Sequence, residues 1–403
     1  MTHFDQHHDR VRVLHLGKYF PPEPGGMETY LRDLMEHSLK QGVRSAALVH
    51  QSKSGIKSLE ERYEVDSGNL TIVRVASWFR LLFTPISPAF PFVLNRLIQR
   101  FQPELLHLHL PNPSAFWALL LPAARRVPWV VHWQSDVLTP ISSWVLRFCY
   151  VFYRPFESAL LKRASKIITT SEQYLSSSRT LAAFTDRCCV IPLGIRDRFG
   201  PQEIEATSGA SDGPIRVLAI GRLAHYKGFD TLLRAIAKAP NTQLDLVGSG
   251  EQSDHLKALS QSLGIEGRVR FRGAINDTER DALLRACDCL CLPSVDRTES
   301  FGIVLLEAMS AGKACVISEV PGSGMASLVE ANVTGLVVPM ADHDALAAAL
   351  TELAEHKPLL NEMGAQGRRR FEQAFTIATS TEAVLALYQQ LEGSTDRARK
   401  GPD

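Results

Sequence analysis

Residues 215–250 read IRVLAIGRLAHYKGFDTLLRAIAKAPNTQLDLVGSG, and this stretch decides the fold. IRVLAIG is a short apolar run closed by glycine, the pattern of a buried strand. DTLLRAIAKA repeats its apolar residues at helical spacing, and QLDLVGSG is a second apolar run that again ends in glycine. Strand, helix and strand in so little chain form the crossover that joins parallel neighbours in a sheet. Downstream the alternation continues through QSDHLKALSQSLG, VRFRG, DTERDALLRACD, CLCLPS, the helical run in ESFGIVLLEAMSAGKACV, ACVIS and GLVVP, before the outer helices DALAAALTELAEH and TEAVLALYQQLEG. Upstream it is already present. VRVLHLG at 11–17 precedes METYLRDLMEHSLKQG, whose Met27, Tyr30, Leu31, Leu34 and Met35 follow helical spacing. SAALVH, LTIVRVA, ELLHLHL, WVVHW, KIITTS and CCVIPLGI follow as short strands, with helical patterns between several of them. The fold class is therefore α/β, with two Rossmann-like, doubly wound parallel sheets in tandem.

A chain of 403 residues exceeds what one core organises, which agrees with two domains. The polar stretch GPQEIEATSGASDGP at 200–214 breaks the alternation and reads as the linker. It separates an N-terminal domain at 1–199 from a C-terminal domain at 215–375, with a terminal helix and tail at 376–403. Ligands of such sheets bind at the carboxyl ends of the strands, here in the cleft where two such ends face each other. Hydrophobic content of 45% and charged content of 22% exclude a disordered or fibrous chain.

The net charge of +1 conceals an asymmetry. Through Gly200 there are 24 Lys and Arg against 16 Asp and Glu, or +8, and the remainder carries 20 against 27, or −7. A basic front half suits an anionic partner, either a phosphate-bearing substrate or an acidic membrane, or is simply an uneven solvated surface. The seven cysteines show no zinc spacing, and MTHFDQHHDR has no apolar secretory core, so a cytoplasmic location is expected. Cys287, Cys289 and Cys291 alternate, which places all three on one face of a strand as small core residues. The uncharged stretch at 105–124 is interrupted by His107, His109 and Pro111-Asn112-Pro113 and is not a membrane span.

No GxGxxG follows any first strand, so the dinucleotide fingerprint is missing where it should occur. Gly25 and Gly26 precede a helix, where free N–H groups favour an anion; an ordinary turn explains the pair equally well. Arg222 and Lys227 lie in the loop just past IRVLAIG and can clamp a diphosphate, or stand as surface cations with no ligand. Glu299, Phe301 and Gly302 occupy the loop after CLCLPS at the same sheet edge, before a helix whose first N–H groups, at Phe301, Gly302 and Ile303, point at the same anion. Glu299 is placed to accept from hydroxyls beside that anion, and Glu307 to take the vicinal diol of a ribose. Either acid alone is explained by the helix dipole; the pair with two cations reads as a nucleotide-sugar cradle.

These motifs, in the order PGGMETYLRDL, HLHLPNP, VVHWQSD, IPLGI, GRLAHYKGFDTLL, LVGSGE, VRFRGAI, ESFGIVLLEAMSAGKACV and GLVVP, resemble the retaining GT-B glycosyltransferases of family 4, the group 1 glycosyl transferases, over nearly the whole chain. The resemblance implies two facing Rossmann-like domains and a nucleotide-diphosphate-sugar donor held mainly by the C-terminal one. Arg222 and Lys227 would hold the diphosphate, Glu299 the sugar and Glu307 the ribose, with the base near Gly273 to Ile275. It matches His132 to an active-site histidine near the donor sugar and returns the last helix to the N-terminal domain; His107 and His109 share a strand face, on which His109 is expected to line the cleft and His107 to lie in the core. It implies front-face displacement in which the leaving diphosphate helps deprotonate the acceptor, with no cofactor and no metal. The one D-x-D, Asp342 to Asp344, opens a helix and reads as an N-cap.

The basic, aromatic stretches at 77–101 and 142–164 either lie in a bilayer interface or are core helices with solvated edges. On the first reading the enzyme is peripheral on the inner face of an anionic cytoplasmic membrane, and its acceptor is a polyprenyl-diphosphate-linked or other glycan. VVHWQSD with PGSGMASLVEANVTGLVVP looks most like mannosyl- or rhamnosyl-adding members using a GDP donor; no nucleic-acid partner is expected. An epimerase or hydrolase of the same fold, and a non-catalytic sugar-nucleotide-binding protein, are the alternatives.

Overall fold

The computed structural model describes residues 11–23, 25–55, 57–65, 68–81, 84–137, 144–200 and 213–400. The expected linker at 200–214 falls, apart from its ends, outside the described residues.

The first lobe is an eight-stranded sheet in the order β10-β9-β8-β7-β1-β2-β4-β3. Its strands are β1 (Arg12–Leu16), β2 (Arg44–Ser54), β3 (Leu59–Val65), β4 (Gly68–Ser77), β7 (Leu105–Leu110), β8 (Trp129–Trp133), β9 (Lys166–Thr169) and β10 (Cys188–Val190), with β5 (Phe79–Leu81) and β6 (Thr84–Ile86) forming a separate hairpin. All pairings in the large sheet are parallel except β3 with β4. The second lobe is a six-stranded parallel sheet in the order β13-β12-β11-β14-β15-β16, made of β11 (Ile215–Ile220), β12 (Thr242–Val247), β13 (Val269–Gly273), β14 (Cys289–Leu292), β15 (Ala314–Glu319) and β16 (Gly335–Pro339). The order in which strands are added reverses between β1 and β7 in one sheet and between β11 and β14 in the other, the switch points outside which such sheets bind ligands.

Each sheet is buried on both faces because helices cover both. In the first lobe Leu14, Leu106, Leu108, Trp129 and Val131 pack with Leu94 of the helix Phe90–Phe101 and Leu160 of the helix Trp144–Arg163. In the second, Val217, Leu244, Cys289 and Cys291 pack with Leu232 of the helix Phe229–Lys238 and Leu350 of the helix His343–Glu355. On the opposite face Leu218 and Leu290 meet Leu305 and Met309 of the helix Ile303–Ser310.

Three local expectations are corrected. β3 was not read as a strand; its charged sequence LEERYEV pairs only with β4 and leaves an edge half exposed, where Glu60, Glu61, Arg62 and Glu64 discourage further pairing. Cys287 is not in a strand with Cys289 and Cys291. It caps the end of the helix Asp277–Ala286 and packs on the opposite side of the sheet, although all three thiols are buried. The helix Lys357–Ala374, which carries several Arg and Gln among its apolar residues, was also not read.

Asp342 does cap the helix His343–Glu355, accepting from Asp344 N at 3.0 Å and Ala345 N at 2.9 Å. No helix of the described residues is long and apolar enough to cross a membrane. The last helix, Ile377–Lys400, returns to the first lobe: Tyr30 Oη lies 3.1 Å from Ser380 Oγ, and Tyr388 is buried against His107.

Candidate functional site

A cleft of about 1590 Å³ separates the carboxyl ends of the two sheets. Gly25, Gly26, Arg222, Lys227, Ile275, Glu299, Phe301, Gly302, Ile303 and Glu307 all line it; His132 does not.

The cationic side is built by the loop after β11. His225–Lys227 forms a single 3-10 turn, and Gly228 then adopts φ 65°, where a Cβ would stand 2.1 Å from Pro293 O. The glycine thus lets this loop lie directly on the chain leaving β14, which brings Lys227 against Glu299. The two form a buried ion pair, with Ser294 Oγ donating to the same carboxylate oxygen at 3.5 Å. Burial works to lower the Lys227 pKa, but Glu299 and Tyr226 outweigh it, and the ammonium is held above its usual range. Lys227 is therefore a fixed positive charge. Arg222 is more exposed and pairs with Glu251 at 3.1 Å.

The loop after β14 is shaped by its own side chains. Asp296 Oδ1 accepts from Thr298 N at 2.8 Å, and Glu299 N donates to Asp296 O at 3.1 Å. Gly302, at φ 84°, is the N-cap that turns this loop into the helix Ile303–Ser310. Ile303 and Val304, which line the cleft, precede the first hydrogen bond of that helix, from Leu305 N to Gly302 O at 2.8 Å, and the helix start supplies partial positive charge beside Lys227. Opposite them starts the helix Gly26–Lys40. A Cβ on Gly26 would sit 2.6 Å from Ile303 Cδ1, so the two lobes approach closely here and a side chain at this position would have to displace the tip of Ile303.

Glu307 lies one turn into the helix. Arg198 Nη2 donates to its Oε1 at 3.0 Å, and Arg280 Nη1 stands 3.4 Å away. Burial pushes the Glu307 carboxyl up to about 7 against the pull of Arg198, with Asp281 adding to the rise. Ile275 lines the same end of the cleft with Ala274 and Asp277.

His132 requires a correction. Its position on β8 places it on the sheet face it shares with His109 and His107, where it stacks at 5.6 and 5.5 Å and meets the Tyr30 ring edge-on at 5.3 Å. It is fully buried, and burial lowers its pKa to about 3. The residue that reaches the cleft from this strand is Gln134, past the end of β8, where the chain has left the sheet. His109 likewise lines not the cleft but a cavity of about 10 Å³ beneath it.

Several groups at the site were not read from sequence. Arg198 and Arg280 hold Glu307 from distant positions in the chain. Arg297, two residues before Glu299, crosses to the other lobe, pairing with Asp136 at 3.1 Å, donating to Ser177 O at 2.9 Å and lying 4.7 Å over the Tyr174 ring. Its place in the loop carrying Glu299 was the available signal; its partners, far away in sequence, carried none.

Comparisons with known proteins show the family and the fold. Residues 201–370 match the family model described as glycosyl transferases group 1, and residues 25–194 match that of a glycosyl transferase 4-like domain. The O-antigen chain mannosyltransferase C of Escherichia coli is 27% identical over 392 residues, 94% of this chain and 99% of that protein. The D-rhamnosyltransferase WbpZ of Pseudomonas aeruginosa is 28% identical over 370 residues, 91% of this chain and 92% of that one. Among solved structures, a sucrose-phosphate synthase from Thermosynechococcus elongatus superposes with a TM-score of 0.76 at 23% identity, covering 96% of this chain and all of that one. WaaG, a glycosyltransferase involved in lipopolysaccharide biosynthesis, does so with a TM-score of 0.67 at 19% identity, covering 93% and 98%.

Proposed function

Because the chain belongs to the group 1 glycosyl transferases and is a glycosyltransferase of GT-B fold, we propose that it moves a hexose of mannose or rhamnose type from a GDP-linked donor to a hydroxyl of a lipid-linked or other glycan. The sugar class rests on the mannosyl- and rhamnosyltransferase relatives. The observation that carries the donor reading is the shared cleft of Lys227, Arg222, Glu299 and the start of the helix at Ile303.

With no donor bound, Lys227 and Glu299 neutralise each other. An arriving diphosphate takes Lys227 and Arg222 as counter-charges, together with the helix N–H groups. Glu299, released from its partner, accepts from sugar hydroxyls. Glu307 accepts from the ribose diol, oriented by Arg198 and Arg280. In this reading transfer proceeds with retention, on the face the diphosphate leaves: the C–O bond to the diphosphate breaks, the acceptor oxygen bonds to the same carbon, and its proton passes to the departing phosphate oxygen. The protein's part is electrostatic, since its fixed positive groups stabilise charge as it develops on the leaving group. The reading assigns this step no cofactor and no metal.

A peripheral position on an anionic membrane is supported by the helix Trp144–Arg163. Trp144, Phe148, Val151, Phe152 and Phe156 follow helical spacing and are exposed, Trp144 at 79% and Phe148 at 61%, in a basic lobe. An apolar stripe of this size with Arg147 and Arg154 among it fits the headgroup region of a bilayer. We place the enzyme on the cytoplasmic face.

The test is a thermal-shift panel of UDP-, GDP-, ADP- and dTDP-sugars, followed by transfer assays with the stabilising donor. A ligand that binds only the folded state raises the melting temperature. A GDP-sugar should give the largest shift, with release of GDP dependent on added acceptor. A shift only with another base overturns the donor assignment, and sugar turnover that needs no acceptor overturns transfer.

A further inference from the structure

Four histidines gather beneath the floor of the cleft, away from the donor groups. His15 lies on β1, His107 and His109 on β7, and His132 on β8. Strand register pairs His15 with His107 and His109 with His132, so all four side chains share one face where the strand order reverses in the sheet. Their rings pack together, the closest pair being His107 and His109 at 4.4 Å between centroids. His15 Nδ1 stands 3.2 Å from His109 Nε2, and His107 Nδ1 stands 2.5 Å from Tyr388 Oη. His15 Nε2, His107 Nε2, His109 Nδ1 and both nitrogens of His132 have no hydrogen-bond partner among the described residues, in side chains that are all buried. Such a density of unanswered polar atoms is foreign to an ordinary core.

We propose that His15, His107 and His109 form a structural binding site for a divalent transition ion of the zinc class. One ring nitrogen from each can be chosen so that all three lie within 4.8 Å of one another. Nitrogen ligands about 2.0–2.1 Å from a tetrahedral zinc ion stand roughly 3.3 Å apart, close to the spacing of His15 and His109. Imidazole suits zinc, copper and nickel. In the proposed site Tyr388 Oη accepts from His107 Nδ1–H, the tautomer that leaves the Nε2 lone pair for the ion and the usual arrangement behind a metal-bound histidine. Beside His109, a cavity of about 10 Å³ that it lines with Gln134, Glu28 and Lys18 has room for about one water. The ion takes no part in sugar transfer. It ties β1 and β7 together and, through Tyr388, fixes the returning C-terminal helix to the first lobe.

The test uses the full chain, refolded with excess Zn²⁺ or Co²⁺ and freed of loose metal by gel filtration. Elemental analysis should find one zinc per chain, and cobalt should give the intense visible bands of tetrahedral nitrogen coordination. Replacing His15 and His109 together by leucine should abolish both signals, with circular dichroism reporting whether the fold is kept. Tyr388→Phe, which keeps the packing, should weaken cobalt affinity about tenfold. Wild-type protein that holds neither metal, leaving only a stack of neutral imidazoles, overturns the proposal, whatever the variants do. So does metal retained equally by the folded double variant.

Discussion

The two lobes share one plan and finish their strands in opposite ways. In the second lobe the loops after β11 and β14 lay charged groups open to the cleft: Arg222, Lys227 and Glu299, with Glu307 one turn behind. In the first lobe β1, β7 and β8 carry buried imidazoles just before their carboxyl ends, with the Tyr30 ring edge-on to His132; the chain past β8 brings the uncharged Gln134 and Ser135 to the cleft, and charged groups such as Arg32, Asp33 and Glu36 come from the helix Gly26–Lys40. That lobe instead exposes its apolar surface on the outside, along the helix Trp144–Arg163. The proposed anionic donor and membrane-presented acceptor ask for these two different surfaces.

The largest expected effect tests the charged lobe. Glu299→Ala should lower the transfer rate by about a thousandfold, the scale of a lost transition-state contact, while nucleoside-diphosphate affinity changes little. Parallel kinetics and titration calorimetry check the separation. Equal losses in rate and affinity would make Glu299 a partner of Lys227 and nothing more.

A second prediction concerns pH. The folded-state pKa of Glu307, about 7, stands above its ordinary 4.5, so the folded protein binds this proton more tightly than the unfolded chain. Its contribution to stability is complete below about 4.5 and is lost as pH rises through about 7. Ribose hydroxyls need the ionised form, so donor affinity should move the other way and rise about tenfold from pH 6 to pH 8. Glu307→Gln should flatten that rise, which titration at the two pH values will read. A slope unchanged in the variant would remove Glu307 from the ribose.

The smallest effect tests the apolar face. Phe148→Glu with Phe152→Glu should reduce co-sedimentation with anionic vesicles severalfold and leave donor-induced thermal shifts intact. Undiminished sedimentation would return that helix to an ordinary solvated surface.

Legibility differs between the lobes for the same reason. Around Arg222, Lys227 and Glu299 the site is written in short contiguous loops at strand ends, where sequence order and spatial order coincide. β3 escaped because its alternation is carried by charged residues on an exposed edge. His132 was misplaced because the choice between core and cleft depends on where β8 ends, and a two-residue difference separates it from Gln134. Arg198, Arg280 and Arg297 escaped because their meaning lies in partners from distant parts of the chain: Glu307 for the first two, Asp136 for the third. The register that brings His15 beside His107 is likewise a property of pairing between strands far apart in sequence.

The central claim is that a buried, permanently charged Lys227 grips the donor's diphosphate. Calorimetric titration of GDP into wild-type protein and into Lys227→Ala tests it most directly. The account predicts about a hundredfold weaker binding in the variant, with Arg222→Ala losing about tenfold from its more exposed position. Wild-type affinity in Lys227→Ala would contradict it.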